Sequence, residues 1–419
     1  MTIDRSRSIA ARWISLRSRF VRYPVASLVA ALAAGLPHGA AFAGGPAETV
    51  KLGVLVPLSG SYKDAGIDIV DGAKLAVDRI NAAGGVLGRK IELISQDDAC
   101  DADQAAQAAG KLAAAGVVAI AGGYCSSAAL PELRVFHVQR IPYVLDASTF
   151  PQLTEHGWHN AFRTIGRTDA QGVLAASLMK GALHAKRAAV MNDGSTYSQG
   201  LAQSAVAALK RAGVDVVYDD AISPGQKDYL ATVKAVSERN PDVLYFTGYY
   251  TEAAVLAKNL REAKSGIGYF MGNGAADRSL IEKGGEAVEG MIVTTSPLPQ
   301  FLDNARARQF VKAYLKAYGR EPGPYSVYEY DAVGVTAEAI KHAKSSRPED
   351  IEAALHALKK YDGATGDIAF DQKGDRVNAA FMAVTVRDGK FEPYARLGRN
   401  GQWGALIARF STDRIRTKR

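Results

Sequence analysis

From residue 50 onward, apolar β-branched runs alternate with stretches of helical periodicity. The run 50–58 (VKLGVLVPL) is read as a buried strand. A helix over 64–81 follows, with Ile69, Ala73, Val77 and Ile80 at helical spacing and Gly84-Gly85 as its stop. Next come a strand at 90–95, a helix at 103–115, and strands at 117–122 and 141–145. The rhythm restarts with strands at 188–192, 214–218 and 243–247, interleaved with helices at 198–212, 228–238 and 252–263. Strands separated by helices at this spacing predict right-handed βαβ units in parallel sheets covered on both faces. Two such runs, about 49–165 and 170–295, predict an α/β fold of two doubly wound lobes. Helices at 303–318 and 330–344 then pack back onto one or both lobes. No low-complexity linker intervenes, so short segments carry the chain between lobes. Ligands of open α/β sheets sit at the carboxyl ends of the strands, which directs the search to the loops there.

Composition narrows the class further. The chain has 419 residues, 47% hydrophobic and 22% charged, which excludes disordered, collagen-like and coiled-coil proteins. A net charge of +8 would suit nucleic acid or an anionic membrane, but its distribution argues otherwise. Residues 1–43 and 398–419 carry +5 each, which leaves 44–397 at −2. The first segment has its own explanation: an Arg-rich stretch to Arg22, the apolar run 25–36 (VASLVAALAAGL) and Ala41-Phe42-Ala43 are the three parts of a secretory signal peptide cleaved near Ala43. An uncleaved anchor is the alternative, against which the A-x-A site and the shortness of the apolar core both weigh. Export in turn changes the reading of Cys100 and Cys125, the only cysteines. In an oxidising compartment they form a disulfide, worth roughly 3 kcal/mol in the chain-entropy model, or else remain two buried thiols.

Enzyme motifs are sparse. The chain contains no P-loop, no H-E-x-x-H and no G-x-S-x-G. His156 and His159 flank Trp158 with no third ligand in view, so neither a metal nor a cofactor is expected. The loops after strands say more. Tyr124-Cys125-Ser126-Ser127 opens a helical stretch, where Ser126 is a plain cap or a ligand contact, since a helix start favours an anion. Asp146-Ala147-Ser148-Thr149 follows the next strand. In the second half, 192–198 (NDGSTYS), Gly248-Tyr249-Tyr250 and Gly272-Asn273-Gly274 occupy equivalent places.

Taken together, the motifs VKLGVLVPLSG (50–60), INAAGGVLGRKIEL (80–93), DDACD (97–101), YCSS (124–127), PQLTEHG (151–157), FRTIGRTDAQG (162–172), GQKDY (225–229), TGYYTEA (247–253), EGMIVT (289–294) and FDQKGD (370–375) resemble the periplasmic branched-chain amino-acid binding proteins of ABC transporters. The likeness runs from about 49 to about 395. It implies a type I periplasmic-binding-protein fold closing like a flytrap on a multi-segment hinge. The expected division is 49–167 with about 298–375 as the N-terminal lobe and 168–297 with about 376–397 as the C-terminal lobe. It also implies the Cys100–Cys125 disulfide. Carried over by position, Ser126 holds a ligand carboxylate, Ala147 offers a backbone carbonyl and Thr149 a hydroxyl, while Tyr197 and Tyr249 close from the second lobe.

Two departures bear on the ligand. Where the family places an acidic residue against the ligand ammonium, this chain has Asn273, so either Asp146 or Asp277 compensates or the ligand lacks an ammonium. Where many relatives carry Tyr or Trp, it has Ala65, with Tyr62 or Tyr124 to fill the space. The expected function is a monomeric, non-enzymatic periplasmic receptor that delivers an amino acid to a membrane permease, with no nucleic-acid partner. The alternatives are a receptor for an aromatic or aliphatic carboxylate, urea or a short amide, or a ligand sensor.

Overall fold

Alternating burial along the strands shows why the chain forms covered sheets. In β8 (Val243–Phe246), Val243 and Tyr245 enter one hydrophobic cluster while Leu244 and Phe246 enter another on the opposite face. In β1 (Val50–Val56), Leu52 and Val54 face one way and Leu55 the other. Both faces are apolar, as buried parallel strands require. The computed structural model describes residues 49–397 and 403–405. The signal-peptide reading of 1–43 and most of the basic tail lie outside the described residues.

The first sheet has the order β2-β1-β3-β4-β5 and is wholly parallel. Its other strands are β2 (Ile91–Asp97), β3 (Ala119–Gly122), β4 (Tyr143–Leu145) and β5 (Ala161–Arg163), and they alternate with α1 (Lys63–Ala82), α2 (Ala102–Ala114) and α3 (Ser126–Val138). The chain then crosses to a second sheet. Here α4 (Thr168–Gly181), α5 (Thr196–Arg211), α6 (Leu230–Glu238), α7 (Tyr250–Glu262) and α8 (Arg278–Gly284) alternate with β6 (Arg187–Asn192), β7 (Asp215–Ala221), β8, β9 (Gly268–Met271) and β10 (Ile292–Thr295). It returns to place α9 (Ala305–Tyr318), α10 (Ser326–Ala343), α11 (Pro348–Ala357) and the hairpin β11 (Tyr361–Gly363) and β12 (Gly366–Ile368) on the first lobe. It crosses a third time into β13 (Met382–Arg387), β14 (Lys390–Leu397) and β15 (Trp403–Ala405).

The second sheet differs from the all-parallel expectation. Its order is β15-β14-β13-β10-β9-β8-β6-β7, and β13, β14 and β15 join antiparallel. β14 follows β13 after two residues, and so short a hairpin connection permits only antiparallel pairing, while β13 itself enters beside β10 in the opposite direction after the third crossing. Helix α10 also begins four residues before the expected 330. Its seat against α1 requires Gly72, where a Cβ would fall 2.2 Å from the Ser326 carbonyl oxygen. Among the described residues, no helix is long and apolar enough to cross a membrane.

Candidate functional site

The parallel strands of each sheet end on the same side, so the loops after β1, β3 and β4 face those after β6, β8 and β9. Ser126 is the first residue of α3 and is 1% exposed. Its Oγ accepts from the Phe150 N–H at 3.3 Å, which ties the helix start to the loop after β4. The preceding residue, Cys125, caps α3 without a side-chain hydrogen bond, so the first-turn N–H groups keep their capacity for an anion. Cys125 is also disulfide-bonded to Cys100, with the Cα atoms 5.4 Å apart, as the resemblance implied.

Within 146–150, Ser148 turns away and donates to the Gly123 carbonyl at 2.8 Å. Ala147 and Thr149 are buried, and Thr149 Oγ1 has no hydrogen-bond partner. The loop's shape is set by Arg163, which sequence reasoning had not singled out. Its fully buried guanidinium donates to the carbonyls of Ser148 and Phe150 at 3.2 and 3.0 Å and pairs with Asp375 at 2.9 Å. Asp375 also pairs with Arg167 at 2.7 Å. Two of the motifs, 162–172 and 370–375, therefore meet at this ion cluster beside the crossover, where they support the site without forming it.

From the second lobe, Tyr197 lies in the first turn of α5, and its hydroxyl donates to Asn273 Oδ1 at 2.8 Å while accepting from the Gly274 N–H at 2.8 Å. Tyr249 is held by Asp193 Oδ2, which accepts its N–H at 3.2 Å. Rings from both lobes meet here. Tyr249 lies 4.6 Å from Tyr62, 5.6 Å from Tyr124 and 5.2 Å from Tyr197 between ring centroids. Burial and nearby negative charge push the phenols of Tyr62, Tyr124, Tyr197 and Tyr249 up, so all stay neutral at physiological pH. Tyr62 and Tyr124, with ring centroids 5.8 Å apart, pack together, and both belong to or lie against the hydrophobic cluster that includes the buried Ala65.

The structure thus gathers Ser126, Thr149, Tyr197, Tyr249, Asn273, Tyr62 and Tyr124 in the loops at the meeting of the lobes, with Ala147 in the same loop as Thr149. It also adds residues that the pattern had hidden. Tyr325, just before α10, donates its hydroxyl to the Asn273 carbonyl at 2.9 Å and accepts from Asn273 Nδ2 at 3.3 Å. Tyr250 donates to the Ser61 carbonyl at 3.0 Å. Both are bonds between lobes. Tyr325 follows the turn 320–324 (REPGP), and a Pro-rich turn ahead of an aromatic residue was the one signal available.

The two carboxylates weighed against Asn273 part company. Asp277 caps α8, its Oδ1 accepting from the Ser279 N–H at 2.7 Å, and it lines a groove of about 590 Å³ with Arg278 and Arg320. Asp146 is fully buried, as is Glu329 in the first turn of α10, and no oxygen of either carboxyl has a hydrogen-bond partner. Burial pushes both carboxyls well above the usual range. Asp68 adds to the rise at Asp146, the N–H dipoles of residues 146 and 147 oppose it in part, and Asp146 adds to the rise at Glu329. Among the described residues, no group of three or more His, Cys, Asp or Glu could hold a metal.

Two α/β lobes with tyrosines and a helix N-terminus converging at their meeting describe a receptor that encloses a small solute. The periplasmic binding protein family model matches residues 49–390, and the chain belongs to that family. It is 33% identical to the leucine-specific-binding protein of Salmonella typhimurium over 346 residues, covering 82% of this chain and 92% of that one. It is 31% identical to the Leu/Ile/Val-binding protein homolog 1 of Brucella abortus, covering 80% and 90% respectively. Among solved structures, a leucine binding protein from Thermotoga maritima superposes with a TM-score of 0.79 at 30% identity, covering 84% of this chain and 99% of that one.

Proposed function

We propose that this protein is the periplasmic receptor of an ABC transporter, capturing a free amino acid between its lobes, as a monomer, and handing it to a membrane permease. One arrangement carries the reading. The uncapped start of α3 with Ser126 and the unpartnered Thr149 hydroxyl offers donors for a carboxylate, and the tyrosine rings from the other lobe cover the remainder. Relatives named for leucine or for leucine, isoleucine and valine support this class of solute. In this reading the lobes are 49–167 with about 298–375 and 168–297 with about 376–397, export removes the segment up to Ala43, and a ligand bridging the lobes shifts their equilibrium by its differential affinity for the closed form.

A second reading, a solute without an ammonium such as an aromatic carboxylate, is favoured by Asn273, which is uncharged and has its amide engaged by Tyr197 and Tyr325. Calorimetry of the purified protein with leucine, isoleucine, valine, phenylalanine, benzoate and urea separates the two. The amino-acid reading expects one of the first four to bind without turnover. It also expects Ser126→Ala to weaken that binding about tenfold, the scale of one hydrogen bond to a charged group. Binding confined to benzoate or urea would refute it.

A further inference from the structure

We infer that the solute carries a positive charge and that its counter-charge comes from the first lobe, from Asp146 backed by Glu329, and not from the position across the cleft occupied by Asn273. This inference rests on the amino-acid reading above and assigns the two residues that would answer its ammonium. Each alternative source is already committed elsewhere. Asn273 has no charge, its Oδ1 takes the Tyr197 hydroxyl and its Nδ2 meets Tyr325. Asp277 serves the start of α8.

Asp146 has the opposite character. It directly precedes Ala147 at the carboxyl end of β4, and its carboxyl acts on the hydroxyl of Tyr325, which itself reaches Asn273. The groups that sense it are Asp68 from α1, Tyr143 from β4, and Tyr325 and Glu329 at the start of α10. All are acidic or neutral. Among the described residues neither Asp146 nor Glu329 has a basic partner, and their four oxygens have no hydrogen-bond partner. Burial and each other's field hold these two carboxyls in the protonated form, and as neutral acids without hydrogen-bond partners they still cost desolvation with nothing in return. Such a pair is worth keeping where an arriving cation favours the charged form, so that Asp146 gives up its proton on binding and becomes the counter-charge, and perturbed buried acids cluster at functional sites. An ammonium near the Ala147 carbonyl would supply that cation.

The test uses leucine, isoleucine, valine and phenylalanine, each paired with the carboxylate that has the same skeleton but no amino group, such as 4-methylpentanoate for leucine. Calorimetry is run on the wild type, Asp146→Asn, Glu329→Gln and the double variant Asp146→Asn/Asn273→Glu. The expected result is a roughly ten- to hundredfold loss of amino-acid affinity in Asp146→Asn and a smaller loss in Glu329→Gln. Affinity for the deaminated partner should be unchanged, and Asn273→Glu should recover binding in the Asp146→Asn background by moving the charge back across the cleft. The melting temperature of the solute-free protein should hold or rise in both single variants, because an uncompensated acid has been removed. Equal losses for amino acid and deaminated partner, or a fall in melting temperature with unchanged affinity, would make the pair structural and overturn the inference. Wild-type protein binding the deaminated partners as tightly as the amino acids would overturn it while leaving a carboxylate receptor intact. If no amino acid binds the wild type, the functional reading fails and the inference falls with it.

Discussion

At the scale of single residues, this site depends on groups whose partners lie far away in sequence. Arg163 is the clearest case. Its guanidinium is 0% exposed and holds two carbonyls of the loop that carries Ala147 and Thr149, and its charge is balanced by Asp375. Breaking a buried pair from one side leaves an uncompensated charge and costs about 3–5 kcal/mol, far more than a surface pair is worth. Asp375→Ala should therefore lower the urea midpoint by an amount equivalent to about 3–5 kcal/mol and weaken solute binding as the 146–150 loop loosens. Lys373→Ala, which removes an exposed partner of Glu155, should change stability by less than about 1 kcal/mol. Chemical denaturation of both variants checks the contrast. The sequence exposed Arg163 and Asp375 only as members of two motifs, since a salt bridge between distant segments leaves no local pattern.

At the scale of elements, helix α3 links the candidate anion site to a buried acid cluster. Its first turn presents Ser126, and two turns later Glu132 is fully buried, accepting from the Tyr143 hydroxyl at 2.7 Å. Asp98, just after β2, is also buried. Desolvation pushes its carboxyl up to about 6 from an ordinary 3.8, against the Cys100 N–H, which donates to it at 2.7 Å. Burial and the charge of Asp98 push Glu132 well above its usual range. The folded protein therefore holds the Asp98 proton more tightly than the unfolded chain does. Its contribution is fully present below pH 3.8 and is lost as pH rises through about 6, a difference on the order of 3 kcal/mol. Asp98→Asn should remove that part of the pH dependence, so the gap between wild-type and variant unfolding free energies should change between pH 4 and pH 7. A constant gap would refute the assignment. Helices were not equally legible. Periodicity revealed α1, whereas α4 packs one side on α5 and β10, with Gln171 bonded to the Thr294 carbonyl, and includes Ala170 and Val173 on its exposed side, so no clean polar face betrays it. The first turn of α10 was missed for a similar reason, since Ser326, Val327, Tyr328 and Glu329 are all buried.

At the scale of the whole molecule, the two lobes are joined where the chain crosses three times, and binding should respond to changes there that touch no solute. Gly166, on the first crossover, packs against Phe381 on the third, and a Cβ at 166 would fall 2.3 Å from the ring. Overpacking of this kind costs typically 1–3 kcal/mol. In Gly166→Ala the cost falls on the arrangement described here, in which Tyr250 and Tyr325 bond across the lobes. The variant should bind its solute about five- to a hundredfold more weakly while keeping the same ranking among solutes. Small-angle scattering of the solute-free variant should show a larger radius of gyration than wild type, and a changed ranking would place the effect in the site itself.

The sequence by itself determined the βαβ rhythm, the loops to search, the family likeness and the uncharged Asn273, because each is written in local periodicity or in residue identity. The tertiary structure decided what no spacing could. It brought Tyr325 onto Asn273, Arg163 onto Asp375, and Glu329 to Asp146, and it committed Asp277 to a helix cap. It also turned the last strands antiparallel. The physical reason is the same throughout. Local patterns report which face of an element is buried, whereas the pairing of buried charges and hydroxyls depends on where three chain crossings set the elements down.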